Sequence, residues 1–277
     1  MPAYAELGAQ SNFSFLDGAS HPAELVSTSH ALGLAGLGIC DTNSLAGVVR
    51  GHVAAKRLDL PFAVGARLEL LDGSRYLAWP TDRASYGRLT SLLSRGCMAA
   101  PKGGCEIRRT DLLAHAEGLV LAALPPAASD AAFAQRLRQD ARDLRDRLAL
   151  PLFCAAWCAF SGADRRRLDL LANMAQAAGA RLLATNNVRY HTPDRRRLAD
   201  VLTAIRLRTT VDRLGYAAEP NAERCLKPPD EMGRLFEHHP TALEATVEVL
   251  AAARGFSLDG LRYEYPDEIL EPGRTPQ

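Results

Sequence analysis

Lysine is almost missing from this sequence of 277 residues. Of its 33 basic residues only Lys56, Lys102 and Lys227 are lysine, which leaves 30 arginines. A bias this strong points to a GC-rich genome rather than to a function. An excess of either charge is missing too: 33 basic against 32 acidic side chains give a net charge of +1. The chain alone therefore offers no basis for tight, non-specific nucleic-acid binding, and any role on DNA needs a local basic patch or a neighbouring domain. No run approaches the roughly 18 apolar residues of a membrane span. Residues 1–8 lack the basic stretch and apolar core of a signal peptide. Six cysteines occur without a single CxxC pair, so neither a zinc ribbon nor a disulfide scaffold is indicated, and they read as reduced thiols of a cytoplasmic protein. Cys154 and Cys158, four apart in an apolar stretch, read as core residues. A Gly-rich phosphate loop, a GxSxG elbow and an HExxH helix are all absent.

What is present is the composition of an ordinary globule, with 47% hydrophobic and 23% charged residues, which excludes wholesale disorder. The length suits one large α/β domain or two small ones. Short apolar runs predict strands at residues 3–7, 36–40, 62–71, 76–79, 118–123, 151–156 and 181–184. Helical periodicity predicts helices between them. One runs over 21–32 behind Ser20 as N-cap, with Pro22 in its first turn. Another covers 131–148, with Leu137, Ala141, Leu144 and Leu148 on one face. A third covers 165–178 and stops at Gly179. Strands and helices in this alternation predict an α/β fold with a largely parallel sheet or barrel. In such folds the chemistry gathers where the connecting loops converge, at the carboxyl ends of the strands.

After about Thr209 the periodicity weakens. Residues 209–277 therefore read as a C-terminal extension or linker behind a barrel at 1–208. Pro, Gly and acidic residues crowd 263–277 like an extended arm, and the chain reads as the front part of something longer. Arg165–Arg167 and Arg195–Arg197 are the compact basic runs. Each opens a helix, the end where the dipole does not favour cations; a solvated face is the simpler reading, a phosphate or an acidic partner surface the other.

Two polar stretches follow buried strands. Asp41-Thr42-Asn43-Ser44 could cap the next helix, while Thr185-Asn186-Asn187-Val188-Arg189-Tyr190-His191 could be a loop satisfied by its own asparagines. Together with Tyr4-Ala5-Glu6-Leu7 and Ser11-Asn12-Phe13-Ser14-Phe15-Leu16-Asp17-Gly18 they carry a resemblance. The sequence resembles the polymerase and histidinol phosphatase (PHP) domain, and more narrowly the PHP domain that begins bacterial C-family DNA polymerases of the error-prone kind. Further matches are Ser44-Leu45-Ala46-Gly47, Asp200-Val201-Leu202-Thr203, Asn221-Ala222-Glu223-Arg224 with Leu226-Lys227-Pro228-Pro229, and Arg262-Tyr263-Glu264-Tyr265-Pro266. They span essentially the whole chain.

The resemblance implies a distorted (β/α)7 barrel. It also implies a place for three metals, usually zinc or manganese, which in active relatives ionise water and hydrolyse phosphoesters. Carried over residue by residue, the paired His-x-His of the first strand falls on Gly8 and Gln10. The carboxylate or His that follows falls on Asp17. The His of Thr-Asp-His falls on Thr42, beside the retained Asp41. The Glu after the third strand falls on Arg67, and the late Asp-x-His on Asn187 and Arg189. Residues 76–80 and 118–126, where two further ligands belong, contain no His or Cys.

Of these positions only Asp17, and Asp41 beside Thr42, carry a carboxylate. A guanidinium cannot lose its proton to bind a metal, and two fixed cations repel divalent ions where screening is poor. The expectation is a degenerate cleft without metal, in which Arg67 or Arg189 pairs with Asp17 or Asp41; the plainer alternative has both arginines reaching solvent. The leading functional expectation is a structural, non-catalytic barrel of a translesion DNA polymerase acting in DNA repair. Its parent would transfer nucleotides with two Mg²⁺ ions held outside this chain. Its partners would be the polymerase body of the same chain, DNA through that body, and mutagenesis accessory proteins. One alternative is a Zn- or Mn-dependent phosphoesterase or 3′–5′ exonuclease built on a residual site of Asp17, Asp41 and His191. Another is a docking module for a mutagenesis partner.

Overall fold

The apolar runs become seven strands. They are β1 (Ala5–Ala9), β2 (Gly36–Thr42), β3 (Phe62–Glu69), β4 (Arg75–Pro80), β5 (Leu119–Ala123), β6 (Phe153–Ala156) and β7 (Arg181–Ala184). The helices are α1 (Pro22–Ala31), α2 (Val48–Arg57), α3 (Arg83–Ala99), α4 (Arg109–His115), α5 (Ala131–Asp143), α6 (Asp164–Ala178), α7 (Arg196–Arg206), α8 (Pro229–Leu235) and α9 (Thr241–Ala253). This computed structural model describes residues 2–127 and 129–262. The expected arm at 263–277 and the Tyr263–Pro266 part of the resemblance lie outside the described residues. No helix among the described residues is long and apolar enough to cross a membrane.

The strands form one sheet in the order β1-β2-β3-β4-β5-β6-β7, curled into a half-barrel with helices around it. It is parallel except at β4, which runs antiparallel to both neighbours. The reason is the length of the β3–β4 connection. Residues 70–74 are too few for the crossover a parallel pair needs, and they close a hairpin instead, with Leu70 N donating to Ser74 O at 2.9 Å. Most strand residues are buried on both faces, hence their near-continuous apolar character.

Two layers of core result. The outer one lies between strands and helices and includes Leu25, Ile39, Leu121, Cys154 and Leu171. The inner one fills the barrel with Leu7, Cys40, Leu77, Trp79, Val120 and Phe153. Ala245, Val249, Leu250 and Ala253 of α9 join this inner cluster. A helix apolar on most sides must be buried, and α9 plugs the end of the barrel from which β1 and β2 start. Ala5 N donates to Thr246 Oγ1 at 3.1 Å. Gly36 opens β2 with no room for a side chain, since a Cβ there would stand 2.6 Å from Leu250. The stretch after Thr209, weakly patterned in sequence, thus supplies part of the core as far as it is described. With one end plugged, the opposite end remains for a cleft.

Two local signals act differently in the fold. Ser20 does not cap α1. His21 does, accepting from Ala23 N, while Glu24 accepts from His21 N to complete the box; Ser20 instead accepts from His191 N and shares a hydrogen bond with its Nδ1. The helix expected over 131–148 ends at Asp143, although Leu144 and Leu148 still pack on the core. Gly179 ends α6 in the left-handed region at φ 70°.

Candidate functional site

The strand carboxyl ends collect all eight degenerate-cleft positions named above. Gly8 lies where a side chain would collide, because a Cβ there would stand 2.9 Å from Leu77 and 3.2 Å from Thr185 Oγ1. Two residues on, the chain leaves β1, and Gln10 N donates to Val188 O at 2.9 Å. The Gln10 amide nitrogen reaches Asp17 Oδ2 at 2.8 Å and Thr42 Oγ1 at 3.1 Å.

Asp17 is the hub. Its Oδ1 accepts from Arg189 Nη2 at 2.6 Å and from Arg206 Nη1 at 3.1 Å. Arg189 also binds the Asp17 carbonyl and, through Nη1, the carboxylate of Glu219. Glu219 in turn accepts from Arg224 Nη1 at 3.0 Å, and the Arg224 Nε donates to Asn187 O. Burial alone would raise the Asp17 carboxyl, but Arg189, Arg224, the Gln10 hydrogen bond and Arg206 together hold it below the ordinary carboxylate range.

Arg67 behaves differently. It is 3% exposed and has no carboxylate partner. Its Nη2 donates to Asn187 Oδ1 at 2.8 Å, with a longer contact to Gly8 O, and its buried Nε has no partner. Burial, then repulsion from Arg224, pulls it down to about 10. Asn187 presents its oxygen from a left-handed backbone, φ 48°, a region asparagine tolerates. Thus Arg189 makes the expected pair with Asp17, Arg67 pairs with a neutral amide, and neither side chain reaches solvent.

Asp41 makes no arginine pair and does not cap α2, whose N-cap residue is Gly47 without a side-chain bond. Its two oxygens accept from Ser11 N, Ser11 Oγ and Ser14 Oγ, each at 2.8 Å. This ties the 11–14 loop to the end of β2, and burial raises the carboxyl in spite of the serines. Thr42 N is held by Ser14 Oγ at 3.0 Å. His191 stands aside, paired with Ser20 and 4.0 Å from Glu24. The basic runs are partly engaged within the chain: Arg167 lies over Trp157, and Arg195 pairs with Glu24 at the half-exposed surface.

Three contributors were not singled out from sequence. Glu6 is buried and accepts from Tyr4 Oη, Gly8 N, Thr185 Oγ1 and Asn186 N, bridging β1 to the loop after β7, a seam with no ladder among the described residues. Glu219 and Arg224 complete the charge network. The only signal for Glu6 and Arg224 was membership of the quoted motifs, and for Glu219 there was none.

The donor set does not fit a metal cluster. The Asp17 and Asp41 oxygens already serve arginine, amide and serine donors. Among the described residues, the buried polar atoms without a partner at these loops include one amide oxygen of Gln10, the Nε of Arg67 and the Tyr190 hydroxyl, which make no ligand set for a metal. No group of three or more His, Cys, Asp or Glu side chains among the described residues is placed to hold a metal ion.

The sequence model of the PHP domain matches residues 6–152. The chain belongs to the PHP domain family. This PHP domain is 46% identical over 275 residues to an error-prone DNA polymerase of Caulobacter vibrioides, covering 99% of this chain and 25% of that protein. It is 47% identical over 285 residues to an error-prone DNA polymerase of Brucella abortus, covering 100% of this chain and 26% of that protein. The chain thus spans about a quarter of the length of the curated relatives it matches. A solved structure from Bifidobacterium adolescentis, of a protein classed as a metal-dependent phosphoesterase, superposes with a TM-score of 0.50 at 16% identity, over 68% of this chain and 88% of that one. At that identity the likeness is one of fold.

Proposed function

We propose that this PHP domain is a metal-free, structural barrel of an error-prone DNA polymerase that works in translesion synthesis and DNA repair. The observation that carries the reading is the Arg189 guanidinium, buried between Asp17 and Glu219. It supplies in the cleft the positive charge that metals supply in active relatives, and it cannot release it. Divalent ions entering beside Arg189, Arg206 and Arg67 would meet three fixed cations in a poorly screened site. In this reading nucleotidyl transfer, with its Mg²⁺ ions, belongs to the polymerase body of the same chain, and DNA is met through that body. Helix α7 offers a surface for such a contact, with Leu198, Val201 and Ile205 exposed at helical spacing. Mutagenesis accessory proteins and a cytoplasmic location complete the proposal.

The test is elemental analysis of the chain purified after growth in zinc and manganese, with the same sample assayed on a generic phosphodiester. Near-zero metal and no turnover are expected. Two or three tightly held ions per chain, with turnover, would overturn the reading in favour of a phosphoesterase or 3′–5′ exonuclease.

A further inference from the structure

Helix α3 ends at Ala99, and the chain doubles back through a tight turn in which Gly104 N donates to Pro101 O at 2.8 Å. Gly103 supplies the left-handed conformation the turn needs, φ 88°. The return is locked where Glu106 N donates to Gly96 O at 2.9 Å. That bond sets the residue after Gly96 beside the residue before Glu106, and these are Cys97 and Cys105. The Cys105 sulfur lies against the same backbone, since a Cβ on Gly96 would stand 2.7 Å from it. Such apposition suits the short Cα separation that a disulfide requires. Both cysteines line one open groove of about 640 Å³ that extends to Asp17, Thr42 and Arg206. Cys97 is exposed and Cys105 half-buried, whereas Cys40, Cys154, Cys158 and Cys225 are buried.

We propose that Cys97 and Cys105 form a reversible disulfide at the rim of this groove, with a peroxide as the oxidant. Exposed Cys97 is the sulfur a peroxide meets first. Its thiolate attacks one peroxide oxygen, an S–O bond forms, the O–O bond breaks, and hydroxide leaves to become water. Cys105 sulfur then attacks the sulfur of the Cys97 sulfenic acid; the S–S bond forms, the S–O bond breaks, and the departing hydroxide takes the Cys105 proton. Two thiols are oxidised and one peroxide is reduced to two waters. Burial and the neighbouring Cys97 push the Cys105 thiol up to about 12. The bond pins the 100–104 turn along the groove.

The experiment treats the whole chain with hydrogen peroxide, blocks free thiols by alkylation and digests with trypsin. Lys102 is the only tryptic site between the two cysteines, so peptides 96–102 and 103–108 stay joined only through the disulfide. The linked pair is expected, with loss of two hydrogens from the summed mass, reversal by dithiothreitol, and absence in both C97S and C105S. Met98, 87% exposed, reports by its own oxidation that the reagent reached the turn. Oxidised Met98 with both cysteines still alkylated would overturn the proposal. So would Cys97 carried to sulfinic acid beside a free Cys105, or either cysteine linked to a different partner.

Discussion

Arg189 Nη2 stands 2.6 Å from Asp17 Oδ1, and the same side chain also holds the Asp17 carbonyl. The two residues are 172 positions apart. Their contact clamps the loop after β1 to the loop after β7 across the open end of the barrel. Arg189 is 5% exposed and its guanidinium is shared with Glu219, so its charge is answered by two carboxylates rather than by water.

Breaking that clamp from one side leaves Asp17 with Arg206 alone and the buried Glu219 with Arg224 alone. Arg189→Ala is expected to cost about 2–3 kcal/mol of unfolding free energy, below the cost of an uncompensated buried charge because each carboxylate keeps one cation. Urea denaturation measures it. The double variant Arg189→Met with Asp17→Asn should recover part of the loss; equal losses in the single and double variants would show that the charge pairing is not what matters.

Acid should find the same pair. The folded Asp17 carboxyl lies below its ordinary value of 3.8, so its contribution is fully present above that value and is lost as pH falls through the folded value. Asp41 has the opposite sign. Its folded carboxyl is raised, so protonation favours the native state and stability from this group is gained as pH falls toward 3.8. Unfolding free energy measured from neutral pH downward should therefore hold up until about pH 4 and then fall. Asp17→Asn should flatten the fall, and an unchanged acid limb in that variant would contradict the assignment.

Glu6 is expected to be the residue on which the seam depends. Glu6→Gln keeps the shape but turns one acceptor into a donor facing groups that themselves donate. A loss of about 3 kcal/mol is expected, from hydrogen bonds to a charged group together with an unsatisfied buried donor. Amide hydrogen exchange should speed up at Gly8 and Asn186, whose N–H groups bind this carboxylate. Protection unchanged at both amides would exclude the bridging role.

Much of this was legible before any fold. The seven strands announce themselves because each is a short apolar run, and β7 falls at the expected residues. Gly179 ends α6 as its position suggested, because a left-handed C-cap is a local requirement. The residue types at the cleft positions are likewise read directly from the sequence. Ser20 misled because capping depends on which neighbour turns its side chain toward the helix, and His191, far along the chain, claimed Ser20 first. α9 was missed because it is a helix apolar on most sides, with little periodicity to read.

The sequence by itself determined the elements, their alternation and the chemical character of the cleft, since propensity and periodicity act over a few neighbouring residues. Only the tertiary structure decided which charge meets which. Arg67 and Arg189 are the same residue type at comparable strand ends, yet one finds the Asn187 amide and the other finds Asp17 and Glu219. The seam at Glu6 and the meeting of Cys97 with Cys105 were decided in the same way. Ion pairs, buried hydrogen bonds and thiol contacts depend on distances of a few ångströms, and the path of the backbone between distant residues sets those distances.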